Sequence, residues 1–394
     1  MTVTATDTAT VTADTPWAPW RAAALDAPRV FDAPCGTALL RQQPEDFRVD
    51  ERLSFEPSGS GSHVLLQVEK RDANTVWVAK KIAAEARVRV QDVGFAGLKD
   101  RHALTRQWFS VPARGRSAGS WEGFEGEGFV VRAASLHGRK LPRGALKGNR
   151  FRIVLRSVAG PKEIFEYRLA TLASEGIANY FGPQRFGREA GNLRELASAL
   201  AQGPRRERPA PWLVSTARSL IFNAVLAERV RLGHWSTLLE GERANLDGSN
   251  SSFVVDNIDD TIKERLARLD IHPTGPLAGI NGKAEVAGEI ATLEARILAD
   301  YAPVCDWLAA IEVEASRRPL RARVEDLRYR WLVADSNDEA VPDPVGGHGL
   351  VGGASLLGGA SLELEFGLRS GSFATALLRE LIDVAEGLPE GAEG

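Results

Sequence analysis

Two strand-like segments far apart in the chain constrain its fold most. Phe151, Ile153 and Leu155 alternate with Arg152, Val154 and Arg156; Leu362, Leu364, Phe366 and Leu368 alternate with Glu363, Glu365, Gly367 and Arg369. Alternation of this kind puts apolar side chains on one face of a sheet. Val64, Leu66 and Val68, interleaved with Leu65 and Gln67, read as a half-buried strand of the same kind. Between the outer segments the pattern turns helical. Ala217, Leu220, Ile221, Ala224 and Val225 make one apolar stripe, and Val286, Ile290, Leu293 and Ile297 make another. A sheet pattern that stops, gives way to helices and resumes predicts one sheet-based domain with a second domain, 177–321, inserted in it. At 394 residues the chain has room for both.

Local signals fill in the rest. Asn74 or Thr75 caps a predicted helix through about Arg89, with Val76, Ala79, Ala83 and Ala86 as its stripe. A second helix covers Lys162 to Glu175, with Phe165, Leu169 and Leu172 on one face. A third starts at 371–375 and places Phe373, Leu377, Leu381 and Val384 together. Pro57–Ser62, 272–283 and the low-complexity stretch Gly346–Gly359 read as loops, and residues 1–27 as a disordered tail. The 272–283 stretch ends in Gly-Lys but has Leu277 where a P-loop needs glycine.

The chemistry concentrates in Gly94–Val111, GFAGLKDRHALTRQWFSV. One acid, Asp100, stands among Lys99, Arg101, His102 and Arg106. The pattern is either a surface turn of ion pairs or an anionic substrate brought against a carboxylate. Phe47, amid Glu45, Asp46, Asp50 and Glu51, is either a plug over the core or a platform for a base. Asn149, at the mouth of a strand, is either a turn residue or an amide that reads a uracil edge. Phe373 is core by periodicity. Asn179–Arg188, with three aromatics and two arginines, is either a packed turn or a stacking and phosphate-binding loop.

Net charge is −3, which argues against a nucleic-acid binder, but its distribution argues for one. Residues 132–156 hold eight Lys/Arg and no acid, 97–116 five bases and one acid, and 316–330 six Arg and two acids. Segregated charge is the footprint of a phosphate-binding face. No apolar run is long enough to span a membrane, and the N-terminus lacks the pattern of a secretory signal. Cys35 and Cys305 are far apart, which fits a reducing, cytoplasmic setting, and neither they nor the six His have metal-ligand spacing. No metal, cofactor or obligate protein partner is expected.

PEDFRVDE (44–51), GFAGLKDRHALTRQW (94–108), GNRF (148–151), NYFGPQRFGR (179–188) and GSFATALLREL (371–381) together resemble the motifs of the TruD family of tRNA pseudouridine synthases. They stand in the family's order. The resemblance implies an α+β pseudouridine synthase fold, a mixed and largely antiparallel sheet with flanking helices. Its catalytic domain would span 28–176 and 322–394, with an α/β TRUD domain inserted at 177–321. It implies isomerisation of uridine to pseudouridine in tRNA, at position 13 of the D arm, with no cofactor. Asp100 matches the catalytic aspartate, and Phe47, Asn149 and Phe373 match positions lining the uridine pocket. Phe151 matches an aromatic of the GNxF motif. Three residues before PEDF the family often has Lys, and this chain has Arg41, a planar fork in place of a point charge.

The chemistry implied needs a carboxylate at the ribose or base, with a cation such as Arg41 or Lys99 to aim it. Flipping the base costs a few kcal/mol, and aromatic stacking returns about 1–3 kcal/mol per base. Lys99, Arg101, Lys140, Arg143, Lys147, Arg150 and Arg185 are the candidate RNA contacts. The rival readings are a non-catalytic RNA-binding protein or chaperone, which leaves Asp100 without a role, and a methyltransferase, which lacks a glycine-rich cofactor turn here.

Overall fold

The computed structural model describes residues 17–203, 208–282, 285–332 and 359–386. The chain forms two compact units. Among the described residues, one comprises Ala33–Gly176 and those from Arg323 onward; the other comprises those up to Asp32 together with those of Ile177–Ala322.

The first unit is built on a mixed sheet. Its main strands are β1 (Gly36–Leu40), β2 (Phe47–Leu53), β3 (His63–Arg71), β4 (Leu104–Pro112), β5 (Phe129–His137), β6 (Leu146–Ala159), β7 (Glu325–Leu332), β8 (Ala360–Arg369) and β9 (Ile382–Glu386). Their order across the sheet is β7-β8-β6-β2-β4-β3-β5. β1 pairs with the far end of β6 and with β9. Only the β2–β4 and β1–β9 pairs are parallel, so the sheet is largely antiparallel, as the motifs implied.

The ladder shows what each face is for, because opposed residues project from the same side. Phe366, Phe151, Val49, Thr105 and Lys70 form one row across five strands, β8 to β3. That face is buried. The adjacent row runs Gly367, Arg150, Asp50, Arg106 and Glu69, and the face it marks is charged. The central part of β3 departs from the half-buried reading. Val64, Leu65 and Leu66 are all fully buried. Val64 and Leu66 pack in the cluster under the helix Thr75–Ala86, while Leu65 is covered from the other side by Ala96 and Leu141.

Helix α1 (Thr75–Ala86) is capped by Asn74, whose side chain accepts from the Val76 and Trp77 amides. It ends at Ala86, with Arg87 left-handed, rather than at Arg89. Val78, Ala79, Ile82, Ala83 and Ala86 are buried; Val76, predicted in the stripe, is 40% exposed because Val78 and Ile82 take its centre. Helix α2 (Lys162–Glu175) buries Phe165, Leu169 and Leu172 as predicted. Helix α3 (Ala374–Leu381) buries Leu377 and Leu381, and then the chain passes into β9, so Val384 is not helical.

The second unit centres on the helix Pro211–Arg231, whose predicted stripe is buried. Leu193, Leu196, Ile297, Val304 and Leu308 from three other helices pack in its cluster. A four-stranded antiparallel sheet completes it, ordered Ser252–Val255, Glu242–Leu246, Ile271–Leu277 and Ser316–Pro319. The strand Ile271–Leu277 replaces part of the loop expected at 272–283. Its prolines are tolerated because 271–273 pair on one side and 274–277 on the other.

The expected N-terminal tail is also partly folded. Trp17 is 4% exposed, and Ala23 and Ala24 pack against the central helix's cluster. The Gly346–Gly359 stretch lies, except for Gly359, outside the described residues. Among the described residues no helix is long and apolar enough to cross a membrane, and no group of three or more His, Cys, Asp or Glu side chains could hold a metal ion.

Candidate active site

Asp100 sits in the loop between the short strand Gly94–Phe95 and β4. The approach is tight. A Cβ on Gly94 would stand 2.6 Å from the Leu141 carbonyl oxygen, so glycine is required there. Beyond it the loop is pinned from below. Gln107 Nε2 donates to the Gly97 carbonyl at 2.6 Å, and the Lys99 amide donates to Thr75 Oγ1 at 3.2 Å. Thr75 Oγ1 in turn donates to Gln107 Oε1 at 3.0 Å. Lys70 Nζ donates to the Asp100 carbonyl at 3.1 Å and to the Ala73 carbonyl at 3.0 Å.

The Asp100 carboxylate itself stays 37% exposed, and Arg41 Nη2 donates to its Oδ2 at 3.3 Å. The Arg41 guanidinium lies over the Phe47 ring, 4.3 Å from the centroid. Phe47 meets Phe151 edge-on at 6.4 Å, and Phe151 stacks on Phe366 at 5.2 Å. Arg41 has a left-handed φ of 60° and a buried Nε without a hydrogen-bond partner among the described residues. Strain and an unsatisfied donor in a charged side chain mark a residue held in place by its surroundings.

Phe47 is covered in this structure. It is 2% exposed, with a guanidinium over its face. Phe151, 6% exposed, is likewise a core ring. Phe373 is half-buried at the N-cap of α3. Asn149 stands opposite Glu51 and Leu368 in the ladder, on the face that carries Phe151. Its Oδ1 is buried and has no hydrogen-bond partner among the described residues.

Several expected RNA contacts are turned to other work. Lys99 points inward and pairs with the buried Glu51 at 2.7 Å, rather than with Asp100 or a phosphate. Glu51 also accepts from the Trp108 amide at 2.8 Å; burial pushes its carboxyl up, against the pull of Lys99. Arg132, Arg150, Arg152 and Arg156 are paired with Glu69, Glu365, Glu363 and Asp46, so half of the basic run 132–156 is neutralised on the charged sheet face. Arg139, Lys140, Arg143 and Lys147 of the same run are exposed and have no ion pair among the described residues; Lys140 Nζ donates to the Gln91 carbonyl. Their hairpin is tied to the approach of the Asp100 loop, since the Gly144 amide donates to the Ala96 carbonyl at 3.1 Å. Arg101 is exposed beside Asp100.

In the second unit the 179–188 stretch is a packed turn. Asn179, Tyr180 and Phe186 are buried. Arg318 donates to the Asn179 side chain at 2.7 Å and lies 4.1 Å over Phe181, and burial pushes it down to about 9. Arg185 is half-buried, which lowers its pKa as well. Arg317 pairs with Glu294 and Arg321 is buried against His272, so these two bases of the 316–330 run are engaged inside the unit, whereas Arg323 and Arg328 of the same run are exposed.

Sequence reasoning missed Lys70, Glu51, Thr75 and Gln107. Glu51, Lys70 and Gln107 lie in strands and Thr75 opens helix α1, positions where a buried polar side chain leaves no sequence signal. Burial pushes the Lys70 ammonium down to about 8, with the charge of Asp100 working the other way.

Known proteins match this arrangement over most of the chain. The family model described as tRNA pseudouridine synthase D (TruD) matches residues 29–208 and 211–381. The tRNA pseudouridine synthase D of Nitrosococcus oceani is 42% identical over 358 residues, covering 90% of this chain and 93% of that protein. That of Methylococcus capsulatus is 41% identical over 360 residues, covering 91% and 94%. A crystal structure of the putative tRNA pseudouridine synthase D from Methanosarcina mazei superposes with a TM-score of 0.68 at 20% identity, over 92% of this chain and 97% of that one, which establishes the fold. With the motifs in order, the sheet in place and relatives of this identity along nearly the whole length, the chain belongs to the TruD family of tRNA pseudouridine synthases.

Proposed function

We propose that this protein isomerises uridine to pseudouridine in tRNA in the cytoplasm, at uridine 13 of the D arm, with Asp100 as its catalytic carboxylate. The observation that carries the reading is Asp100 itself: an exposed carboxylate on a loop pinned from below and aimed by one guanidinium. An RNA-binding surface without catalysis has no use for a fixed acid among cations.

The reaction breaks the bond between C1′ and N1, turns the uracil and joins C1′ to C5; the proton that leaves C5 is balanced by one gained at N1. No electrons leave and no group arrives, so a positioned carboxylate is the main requirement. Asp100 serves it by bonding the sugar or base, or by taking a sugar proton. Arg41 orients the carboxylate, and the Phe47–Phe151–Phe366 stack supports Arg41 from behind. Phe373, a half-buried ring at the N-cap of α3, is the third aromatic assigned to the uridine pocket. The unpartnered Asn149 Oδ1 fits the N3–H of uracil, and cytosine, lacking that proton, would leave it buried and unpaired. Arg101, Arg139, Lys140, Arg143 and Lys147 are placed to take phosphates; Lys99 and Arg150 reach RNA only by giving up their ion pairs.

The test is pseudouridine formation in an unmodified tRNA transcript, mapped by carbodiimide adducts and reverse-transcription stops, for wild type beside Asp100→Asn. A stop at position 13 with wild type alone, while both bind RNA equally, is the expected result. Salt-sensitive binding with no stop across a panel of tRNAs would refute the enzyme reading and leave an RNA-binding protein.

A further inference from the structure

Beneath the Asp100 loop lies a cation that no carboxylate among the described residues partners. Lys70 is 1% exposed, on the buried face of β3. Its ammonium is spent on two backbone carbonyls, Ala73 at 3.0 Å and Asp100 at 3.1 Å. The buried carboxylate nearby, Glu51, is already engaged by Lys99 at 2.7 Å and by the Trp108 amide. Burying an ammonium against neutral acceptors is costly, and a Leu or Met at this row of the sheet would avoid the cost. Retaining it calls for a function, and its position gives one.

We propose that Lys70 is a positioning residue for Asp100. It clamps the Asp100 peptide through the carbonyl and sets a fixed positive charge behind the carboxylate that faces the substrate. The Asp100 backbone is then held from one side by Lys70, while Arg41 holds the side chain from the other. Gln107 and Thr75 fix the preceding turn of the loop but carry no charge. Lys70 therefore supplies what neither of them can, a field at Asp100 that persists when substrate displaces Arg41 or water. The charged groups that act on Lys70 are Asp100 and Glu51, which favour its protonated form, and Lys99, which opposes it; burial outweighs all three. The clamp thus loses its charge at mildly alkaline pH, though a neutral amine can still donate to the carbonyls.

The inference rests on Asp100 being the catalytic carboxylate, and its test separates the two. Single-turnover rates and tRNA affinity are measured from pH 6 to pH 9 for wild type, Lys70→Met and Asp100→Asn. Wild type is expected to lose rate as pH rises through about 8. Lys70→Met should turn over at least about tenfold more slowly at pH 7, with tRNA Kd within about twofold of wild type and no alkaline limb of its own. The imide of uracil is the same in both, so a limb that vanishes with Lys70 belongs to Lys70. A Lys70→Met protein with wild-type rate overturns the proposal, as does one whose loss lies wholly in Kd. Should Lys70→Met not fold, the wild-type profile decides alone, and a rate that stays flat through pH 9 overturns it. If Asp100→Asn retains full rate, the catalytic reading fails first, whatever Lys70 does.

Discussion

Asp46 offers a sharp test of how the PEDF motif divides its labour. The carboxylate sits in the turn that delivers Phe47 into β2, with its side chain 2% exposed. It accepts from Arg156 Nε and Nη2, both at 2.8 Å, and from the Gln43 amide at 3.1 Å. One acid therefore closes the turn and ties it to β6, behind the residues that hold Arg41. Hydrogen bonds to charged groups contribute about 1.5–3 kcal/mol each. The Arg156 side chain is 37% exposed, so water recovers part of what it loses, and the two bonds together must be discounted. Asp46→Ala is expected to cost about 3 kcal/mol, and Asp46→Asn, which keeps one acceptor for the Gln43 amide, about half of that. Urea unfolding followed by far-UV circular dichroism measures both. The folded Asp46→Asn protein should keep kcat within about threefold, because this acid faces the scaffold and not the substrate. A loss under about 0.5 kcal/mol for Asp46→Ala would refute the structural assignment. So would a stable Asp46→Asn protein that has lost turnover.

Two other expectations follow from charges whose partners are now known. Replacing Lys140, Arg143 or Lys147 by Ala should each lower the slope of log K against log salt for tRNA binding by about 1, while Lys99→Met should leave the slope unchanged, its charge being held by Glu51. Lys70 binds its proton more weakly folded than unfolded, 10.5 falling to about 8, so the unfolded chain holds more protons across that interval and stability rises with pH there. Relative to Lys70→Met, wild type should gain about 3 kcal/mol between pH 7 and pH 10.5, at 1.36 kcal/mol per pKa unit; parallel denaturation midpoints across that range would contradict it.

The sequence made the sheet legible because its apolar alternation is a local property. The pattern around Phe151 and around Leu364 is written in each strand, and the two strands pair in the register that puts Phe151 beside Phe366. Its limits were equally physical. Ile271–Leu277 reads as loop because Pro273, Gly275 and Pro276 are turn residues, and only the split pairing of that strand lets them sit in a sheet. Residues 17–24 read as tail because so short a segment has no period of its own, and it is Trp17 and two alanines meeting the central helix's cluster that fold it.

Charge was the least legible quantity, for a reason that bears on the site. A run of bases in sequence says nothing about acids brought opposite by the ladder. Arg150, Arg152 and Arg156 looked like an RNA-binding stripe, yet Glu365, Glu363 and Asp46 reach them from other segments and leave the free positive charge on the hairpin 138–147. The same logic inverts at Asp100. There the local sequence offered four bases near one acid, and the fold sends Lys99 away to Glu51 while importing Arg41 and Lys70 from distant strand ends. The groups that hold Asp100 in the fold thus differ from the bases beside it in sequence. A carboxylate aimed from one side and clamped from the other suits a reaction in which the base must leave, turn and return while the acid stays where it is.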